Sequence, residues 1–280
     1  AIIELVWFVY CGLTRIALII QYDGSLYSGW QRQPKVISVQ ETLENAIYEL
    51  SSKKTKTYAA GRTDAGVHAA GQVVHFDIDF VIPDSKWSAA LNGKLPESIR
   101  VLESVRVSSE WHACHSAIYR HYRYLINNNK MPNLFMNKWS WHRYQKSLDD
   151  SNMRRALNGI KGEHDFFAFQ KSGSKRFSSI TTIKDIEIIR NNDLISVDIK
   201  ATGFLYGMVR SIVGQLVLVG ENKITPEIFY ERWSKKKKNE VLESAPAKGL
   251  CFVNAIYKEN VFTKFDNNDL FPKYKIFGFS

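Results

Sequence analysis

Cysteine is scarce in this chain, and its three copies, Cys11, Cys114 and Cys251, lie far apart without a C-x-x-C pair. That spacing argues against a disulfide framework and indicates a reducing compartment, so we expect a cytoplasmic protein. No G-x-G-x-x-G or P-loop pattern is present, and a nucleotide cofactor is therefore not indicated. No H-E-x-x-H pattern occurs either, which leaves only a loose histidine cluster around His112 and His115 to consider for zinc. We expect no metal and no cofactor.

Long apolar runs are missing as well. Residues 1–12 are mostly apolar, but they include Glu4 and are too short to span a bilayer. No positive charge precedes them, as it would in a signal peptide. We therefore expect no membrane association, and we interpret residues 1–14 as an extension ahead of the domain.

Positive charge is plentiful. The chain has 38 Lys and Arg against 28 Asp and Glu, a formal net charge of +10 over 280 residues. Such a surface suggests a polyanionic partner, and nucleic acid is the usual one, although many basic proteins bind none. The length suits one large domain or two moderate ones with a proper core.

The hydrophobic patterns predict a mixture of strands and helices. Residues 15–24 are apolar on both faces and read as a central strand, whereas 72–80 alternate and read as a half-buried strand. Ser38 and Glu41 form a capping box that opens a helix over 38–51. A second helix is expected over 205–220. Without a regular βαβ rhythm, the fold class is α+β with a largely antiparallel sheet.

A stretch of small residues surrounds two charges. Eight of the fourteen residues in 59–72 (AAGRTDAGVHAAGQ) are Ala or Gly, and among them lie Arg62 and Asp64. A roomy, tightly turned loop can present a carboxylate to a ligand, and a nearby Arg can hold that carboxylate ionised. From the spacing alone, an ordinary turn with a surface ion pair explains the same residues.

Two further residues stand out for their surroundings. Arg210 lies near the start of the second helix, where a cation opposes the macrodipole; it either pairs with an anion or extends to water. Tyr122 lies between Arg120 and Arg123 and can stack on a base while its neighbours meet phosphates, or it can pack on the core. For Tyr124 we expect core packing.

Several motifs in collinear order resemble the TruA family of tRNA pseudouridine synthases. The resemblance covers roughly residues 15–258. The motifs are AGRTDAGVHAAGQVVHF (60–76), YDGSLYSGWQRQ (22–33), SVQETLENAI (38–47), YRHYRYLI (119–126), GEHDFFAF (162–169), GFLYGMVRSIVGQL (203–216) and APAKGLCFVNAIY (245–257).

The resemblance implies a fold, a reaction and partners. It implies two α+β lobes, 15–111 and 112–258, which share a central sheet and enclose a basic cleft, followed by an unmatched tail, 259–280. It implies conversion of uridine to pseudouridine at positions 38, 39 and 40 of tRNA anticodon stem-loops. It also implies a homodimer that needs neither metal nor organic cofactor.

The resemblance also implies the roles of four residues. Asp64 matches the catalytic aspartate, and Arg62 matches the arginine associated with displacing the target base. Tyr122 matches the tyrosine that stacks on the target uracil, and Arg210 matches the arginine that pairs with the aspartate. We expect Arg62 and Arg210 to keep Asp64 charged at neutral pH.

Departures from the family pattern leave other functions to consider. Cys114 stands where an arginine is common, and His121 occupies a position that is often basic. The rival interpretations are an RNA-binding module without activity, a metal-dependent hydrolase, and a pseudouridine synthase that acts on other RNA sites.

Overall fold

The computed structural model describes residues 12–80, 82–173 and 177–264. Most of the predicted extension 1–14 and of the tail 259–280 therefore lies outside the described residues. The strands are β1 (Thr14–Tyr22), β2 (Tyr58–Ala59), β3 (His68–Ile78), β4 (Ile99–Val107), β5 (Ala117–Asn127), β6 (Trp141–His142), β7 (Gly162–Asp165), β8 (Ile180–Asn191), β9 (Leu194–Ala201) and β10 (Leu250–Tyr257). The α-helices are α1 (Val39–Ser51), α2 (Trp87–Asn92), α3 (Asp150–Ala156), α4 (Met208–Gly220) and α5 (Pro226–Ser234).

All of these strands join one sheet. Its main path runs β4-β1-β3-β10-β5-β9-β8-β7, with β2 added to β3 and β6 added to β5. The β3–β10 and β5–β6 pairs are parallel, and the other pairs are antiparallel. The predicted α+β class with a largely antiparallel central sheet is confirmed.

The parallel pair of β3 and β10 connects strands from the two halves of the chain. Cys251 lies opposite His68, and Phe252 lies opposite Ala69. Because β10 also pairs with β5, Phe252 lies opposite Tyr122. The start of β3 directly follows the loop that carries Asp64, and it is separated from Tyr122 by the single strand β10. The division into lobes at 111/112 stays a prediction.

Two central strands show how well burial follows sequence pattern. In β1, residues 16–20 are all buried, as an apolar strand with two covered faces should be. The strand predicted at 72–80 is present as β3, but it begins at His68 and ends at Ile78, and it is buried on both faces rather than on one, since His75 is only 1% exposed. The ring of Tyr58 stacks on that of His75 with their centroids 5.1 Å apart, and the Ala113 backbone N–H donates a hydrogen bond to Nδ1 of His75. Two segments distant in sequence therefore cover the polar face.

Helix α4 is buried along most of its length and starts later than predicted. Gly207 is its N-cap residue and has a φ of +71°. Glycine adopts this left-handed conformation without strain, and the helix begins at the next residue, Met208. The segment after α5 packs closely on it, since a Cβ on Gly214 would lie 2.5 Å from the carbonyl oxygen of Glu243. Within the described ranges, no helix has the length and apolarity needed to cross a bilayer.

Helix α1 begins as its capping signal predicts. Ser38 is the N-cap, and its hydroxyl accepts a hydrogen bond from the Glu41 backbone N–H at 3.2 Å. The Glu41 carboxylate does not complete the box; it pairs with Arg32 at 3.3 Å. The helix therefore ties its first turn to the segment 22–33.

Candidate active site

Asp64 lies in the loop between β2 and β3. Its carbonyl accepts a hydrogen bond from the Val67 backbone N–H at 3.1 Å, and Gly66 completes the turn with a φ of +77°. Only glycine adopts that conformation readily, so the glycine that follows the acid by two residues sets the shape of the turn. The Asp64 side chain remains 21% exposed and is therefore held in a partly open recess.

The segment 22–33 supports this loop from beneath. The Trp30 backbone N–H donates to the Thr63 carbonyl at 3.0 Å, and the Tyr22 and Thr63 hydroxyls share a hydrogen bond of 2.8 Å. The contact is tight enough to require glycine: a Cβ on Gly24 would lie 2.0 Å from the Val67 carbonyl oxygen, and one on Gly29 would lie 2.6 Å from that of Thr63. Two motifs that are separate in sequence thus form one structural unit.

The start of the loop is fixed by polar side chains from the sheet. Gln72 donates from Nε2 to the Gly61 carbonyl at 2.8 Å, and Arg120 donates from Nε to the Ala60 carbonyl at 3.1 Å. Arg120 also donates to the carbonyls of Cys114 and Thr202. Its guanidinium is therefore engaged within the protein.

The two arginines beside Tyr122 both have partners within the protein. Arg120 holds backbone carbonyls, and Arg123 donates from Nε to the Asp198 carboxylate at 2.8 Å. His121 shares that carboxylate, with its Nε2 2.6 Å from Oδ1. An alternation of basic and aromatic residues in a sequence does not show which cations have partners inside the fold.

Arg210 approaches Asp64 from the first turn of α4. Its Nη1 lies 3.6 Å from Oδ2 of Asp64, and the Arg210 side chain is 18% exposed. Arg210 is itself positioned by Ala245, whose carbonyl accepts from Nε at 2.7 Å and whose N–H donates to the Arg210 carbonyl at 2.9 Å. Of the two alternatives for this cation, pairing with an anion is the one found.

Opposing effects set the charge of Asp64. Burial raises the pKa of its carboxyl above the ordinary value, while the charges of Arg210 and Lys171 lower it. Lys171 was not predicted, because it falls just after a matched motif and nothing in its spacing points to the loop. Its proximity to Asp64 arises from the tertiary fold.

Arg62 does not pair with Asp64. Its side chain is exposed and, within the part of the chain that the structure describes, makes no hydrogen bond or salt bridge. The expectation that Arg62 helps to keep Asp64 charged is therefore not met; Lys171 is the second cation. Although Arg62 and Asp64 are only two residues apart, their side chains do not form a salt bridge.

Tyr122 lies under the loop with its ring enclosed by aromatic residues. The rings of Phe204 and Phe252 meet it edge-on at centroid distances of 4.9 and 5.1 Å, and the side chain is 6% exposed. Its hydroxyl lies 3.4 Å from the Arg62 carbonyl oxygen. Burial raises the pKa of this hydroxyl well above its usual value, with smaller contributions from Tyr22 and Asp64. Tyr122 is thus a neutral phenol at neutral pH.

Tyr124 packs in the core as predicted. It is fully buried, and its hydroxyl donates to the Pro246 carbonyl at 2.8 Å. A Cβ on Gly249 would lie 2.5 Å from the ring, so the chain passes close to it. Tyr124 thereby helps to hold the segment that includes Ala245, which in turn positions Arg210.

The histidines considered for zinc have other partners. His75 accepts from the Ala113 N–H at 3.2 Å, and Nδ1 of His112 accepts from the Cys114 N–H at 3.0 Å. Across residues 12–80, 82–173 and 177–264, no group of three or more His, Cys, Asp or Glu is placed to hold a metal ion.

Comparison with known proteins gives one consistent result. A family model described as tRNA pseudouridine synthase matches residues 18–115 and 156–258, together more than half of the chain. A protein called tRNA pseudouridine synthase A from Prochlorococcus marinus subsp. pastoris is 68% identical over 268 residues, which are 96% of this chain and all of that protein. A protein of the same name from Parasynechococcus marenigrum is 53% identical over 251 residues, 89% of this chain and 84% of that one.

The close packing of Gly24 against the Val67 backbone can be tested by substitution. Gly24→Ala should lower the free energy of unfolding by about 1–3 kcal/mol, because the new methyl group displaces the Val67 backbone. Gly93→Ala is the matched control, since a Cβ there meets only ordinary contacts. Denaturant unfolding measures both. Equal stability of the Gly24→Ala variant and the wild type would contradict the packing described.

Proposed function

Because the chain belongs to the tRNA pseudouridine synthase family, we propose that it isomerises uridine to pseudouridine at positions 38, 39 and 40 in the anticodon stem-loop of tRNAs. The observation that supports particular residues in this reaction is the position of Asp64. It is partly buried in a loop of small residues, and its Oδ2 lies 3.6 Å from Nη1 of Arg210. We propose that Asp64, Arg62 and Arg210 are catalytic and that Tyr122 binds the substrate.

Asp64 assists cleavage of the bond between the uracil N1 and the sugar. As a carboxylate it attacks the sugar, attacks the base or abstracts a sugar proton; all three routes need the ionised form. Arg210 and Lys171 favour that form against the effect of burial. The uracil then turns, and a bond forms between its C5 and the sugar.

The overall change is an isomerisation. The bond from N1 to the sugar is replaced by one from C5, a proton leaves C5, and N1 gains a proton. Nothing is oxidised or reduced, so the reaction requires neither a redox cofactor nor a second substrate.

The target base must leave its stack to reach Asp64. The small side chains of 59–72 leave room for a flipped nucleotide above the recess. The Arg62 side chain is exposed and makes no hydrogen bond or salt bridge in the described chain, which supports its role in displacing the target base. A planar guanidinium stacks well on bases and so can take the place that the uracil leaves.

Tyr122 holds the loosened uracil so that it turns without escaping. Its ring is 6% exposed in the RNA-free chain, so the base must displace a neighbour to reach it. Phe204, which is only half-buried and lies against the ring, is the neighbour best placed to move. Because the Tyr122 hydroxyl is protonated at neutral pH, a water molecule is the simpler acceptor for the proton from C5.

The same proposal includes a cytoplasmic homodimer with a basic cleft between the lobes. Exposed apolar side chains after β5 support a self-association surface: Met131, Leu134 and Phe135 are 74%, 84% and 75% exposed. Phe135 lines a cleft of about 480 Å³ together with Met136 and Trp139, and Met131 and Leu134 line a neighbouring cleft of about 430 Å³ that Phe135 shares. Surfaces of this kind usually mark contacts with other proteins.

Sedimentation velocity tests the homodimer. We expect a dimer for the wild type and for Leu242→Asp, which changes an equally exposed leucine elsewhere, and a monomer for Phe135→Asp. A wild-type monomer at every concentration would contradict the homodimer, and a dimeric Phe135→Asp variant would contradict this surface.

Product mapping on an unmodified tRNA transcript with uridines at 38–40 tests the reaction. We expect pseudouridine at those positions from the wild type and none from Asp64→Asn, because an amide cannot supply the carboxylate's chemistry. Asp79→Asn, which changes an exposed aspartate elsewhere, should remain active. All three should bind the tRNA equally, with affinity that falls steeply as salt rises.

The other outcomes separate the rival functions. Turnover by Asp64→Asn would exclude Asp64 as the catalytic group. Tight binding without product from the wild type would favour a binding module, and product at other positions would indicate a different RNA target.

A further inference from the structure

Lys171 is held in place beside the candidate site by its own backbone and stem. Its backbone N–H donates to the Tyr206 carbonyl at 2.9 Å. Its aliphatic stem covers Gly207, where a Cβ would lie 2.5, 2.6 and 2.9 Å from Cδ, Cγ and Cε of the lysine. Gly207 immediately precedes α4, the helix that carries Arg210, so the two cations are positioned by the same turn.

Among the charged groups that act on Lys171 in the described ranges, Asp64 is the one that attracts it. Burial and the charge of Arg210 lower the pKa of its ammonium group, and the charge of Asp64 raises it. Lys171 makes no salt bridge with another side chain anywhere in the described residues. A lysine placed against an arginine is repelled by it, and Asp64 is the group that offsets that repulsion.

Arg210 alone is a loose partner for the carboxylate. The 3.6 Å between Nη1 and Oδ2 exceeds the usual length of a charged hydrogen bond, and Nε of Arg210 is engaged by Ala245. A bound base would exclude water from the recess and make the ionised carboxylate more costly. A second cation nearby counters that cost.

We propose that Lys171 is a positioning residue that, together with Arg210, keeps Asp64 ionised while the substrate base covers the recess. The proposal rests on the proposed function of Asp64. In the described chain, three titratable or charged groups interact electrostatically with this carboxylate: Arg210 from α4, whose Nη1 lies 3.6 Å from it, Lys171, whose stem lies on Gly207 at the start of that helix, and the Tyr122 hydroxyl from β5. Arg62, on the same loop as Asp64, is not among the charges that act on this carboxylate.

The test compares Lys171→Met, which keeps the stem without the charge, with Lys171→Arg, which keeps the charge. Single-turnover rates at saturating tRNA are measured from about pH 5 to about pH 9, together with KM at each pH. Removing the cation makes Asp64 harder to ionise, so the acidic limb for Lys171→Met should move to higher pH by roughly half a unit or more. Lys171→Arg should retain the wild-type limb. Lys171→Gln replaces Lys171→Met if the latter has a lowered thermal midpoint.

The alternative outcomes are distinct. An unmoved acidic limb with a raised KM would mean that Lys171 contacts RNA only, and equal losses in the methionine and arginine variants would mean a purely structural role; either overturns the inference. Wild type and Asp64→Asn are assayed in parallel. A wild type without product, or an active Asp64→Asn variant, would instead contradict the proposed function.

Discussion

The contact between Asp64 and Arg210 joins distant parts of the chain at the candidate site. The acid comes from the loop before β3, and the arginine comes from a helix far along the chain. They meet because β3 and β10 pair in parallel and because Ala245, just before β10, holds the arginine through two hydrogen bonds. Gly24 and Gly29 allow the close packing that supports the Asp64 loop, and the Tyr124 hydroxyl holds Pro246, the residue next to Ala245.

This arrangement carries a cost in stability. The pKa of Asp64 is raised in the folded chain, so the native state holds the proton more tightly than the unfolded state does. Stability contributed by this group is therefore present at low pH and lost as pH rises through the folded pKa. Above that pKa the ionised carboxylate destabilises the folded state, and the charges of Arg210 and Lys171 offset part of this cost. Sites of chemistry often carry such costs, because the reactive form of a group is rarely its most stable buried form.

The residues differed in how much of their environment could be predicted. Strand β1 and the cap of α1 follow from local patterns, because consecutive apolar residues and a serine N-cap act within a few positions. The burial of His75 does not, since its cover comes from Tyr58 and the chain near Ala113. Arg120 and Arg123 read as free cations until the fold supplies their acceptors. The family resemblance identified Asp64 and Arg210. That Lys171, and not Arg62, is the second cation acting on Asp64 becomes evident only from the folded structure.

Arg210 is proposed to keep Asp64 ionised at neutral pH. Carbon-13 NMR of the protein labelled at aspartate side-chain carboxyls measures this directly, with the Asp64 resonance assigned by its absence in Asp64→Asn. We expect the pKa of Asp64 to lie above the ordinary value of an aspartate, the carboxyl to be ionised at neutral pH, and the pKa to be higher still in Arg210→Met. A carboxyl still protonated at neutral pH, or a pKa that Arg210→Met leaves unchanged, would contradict it.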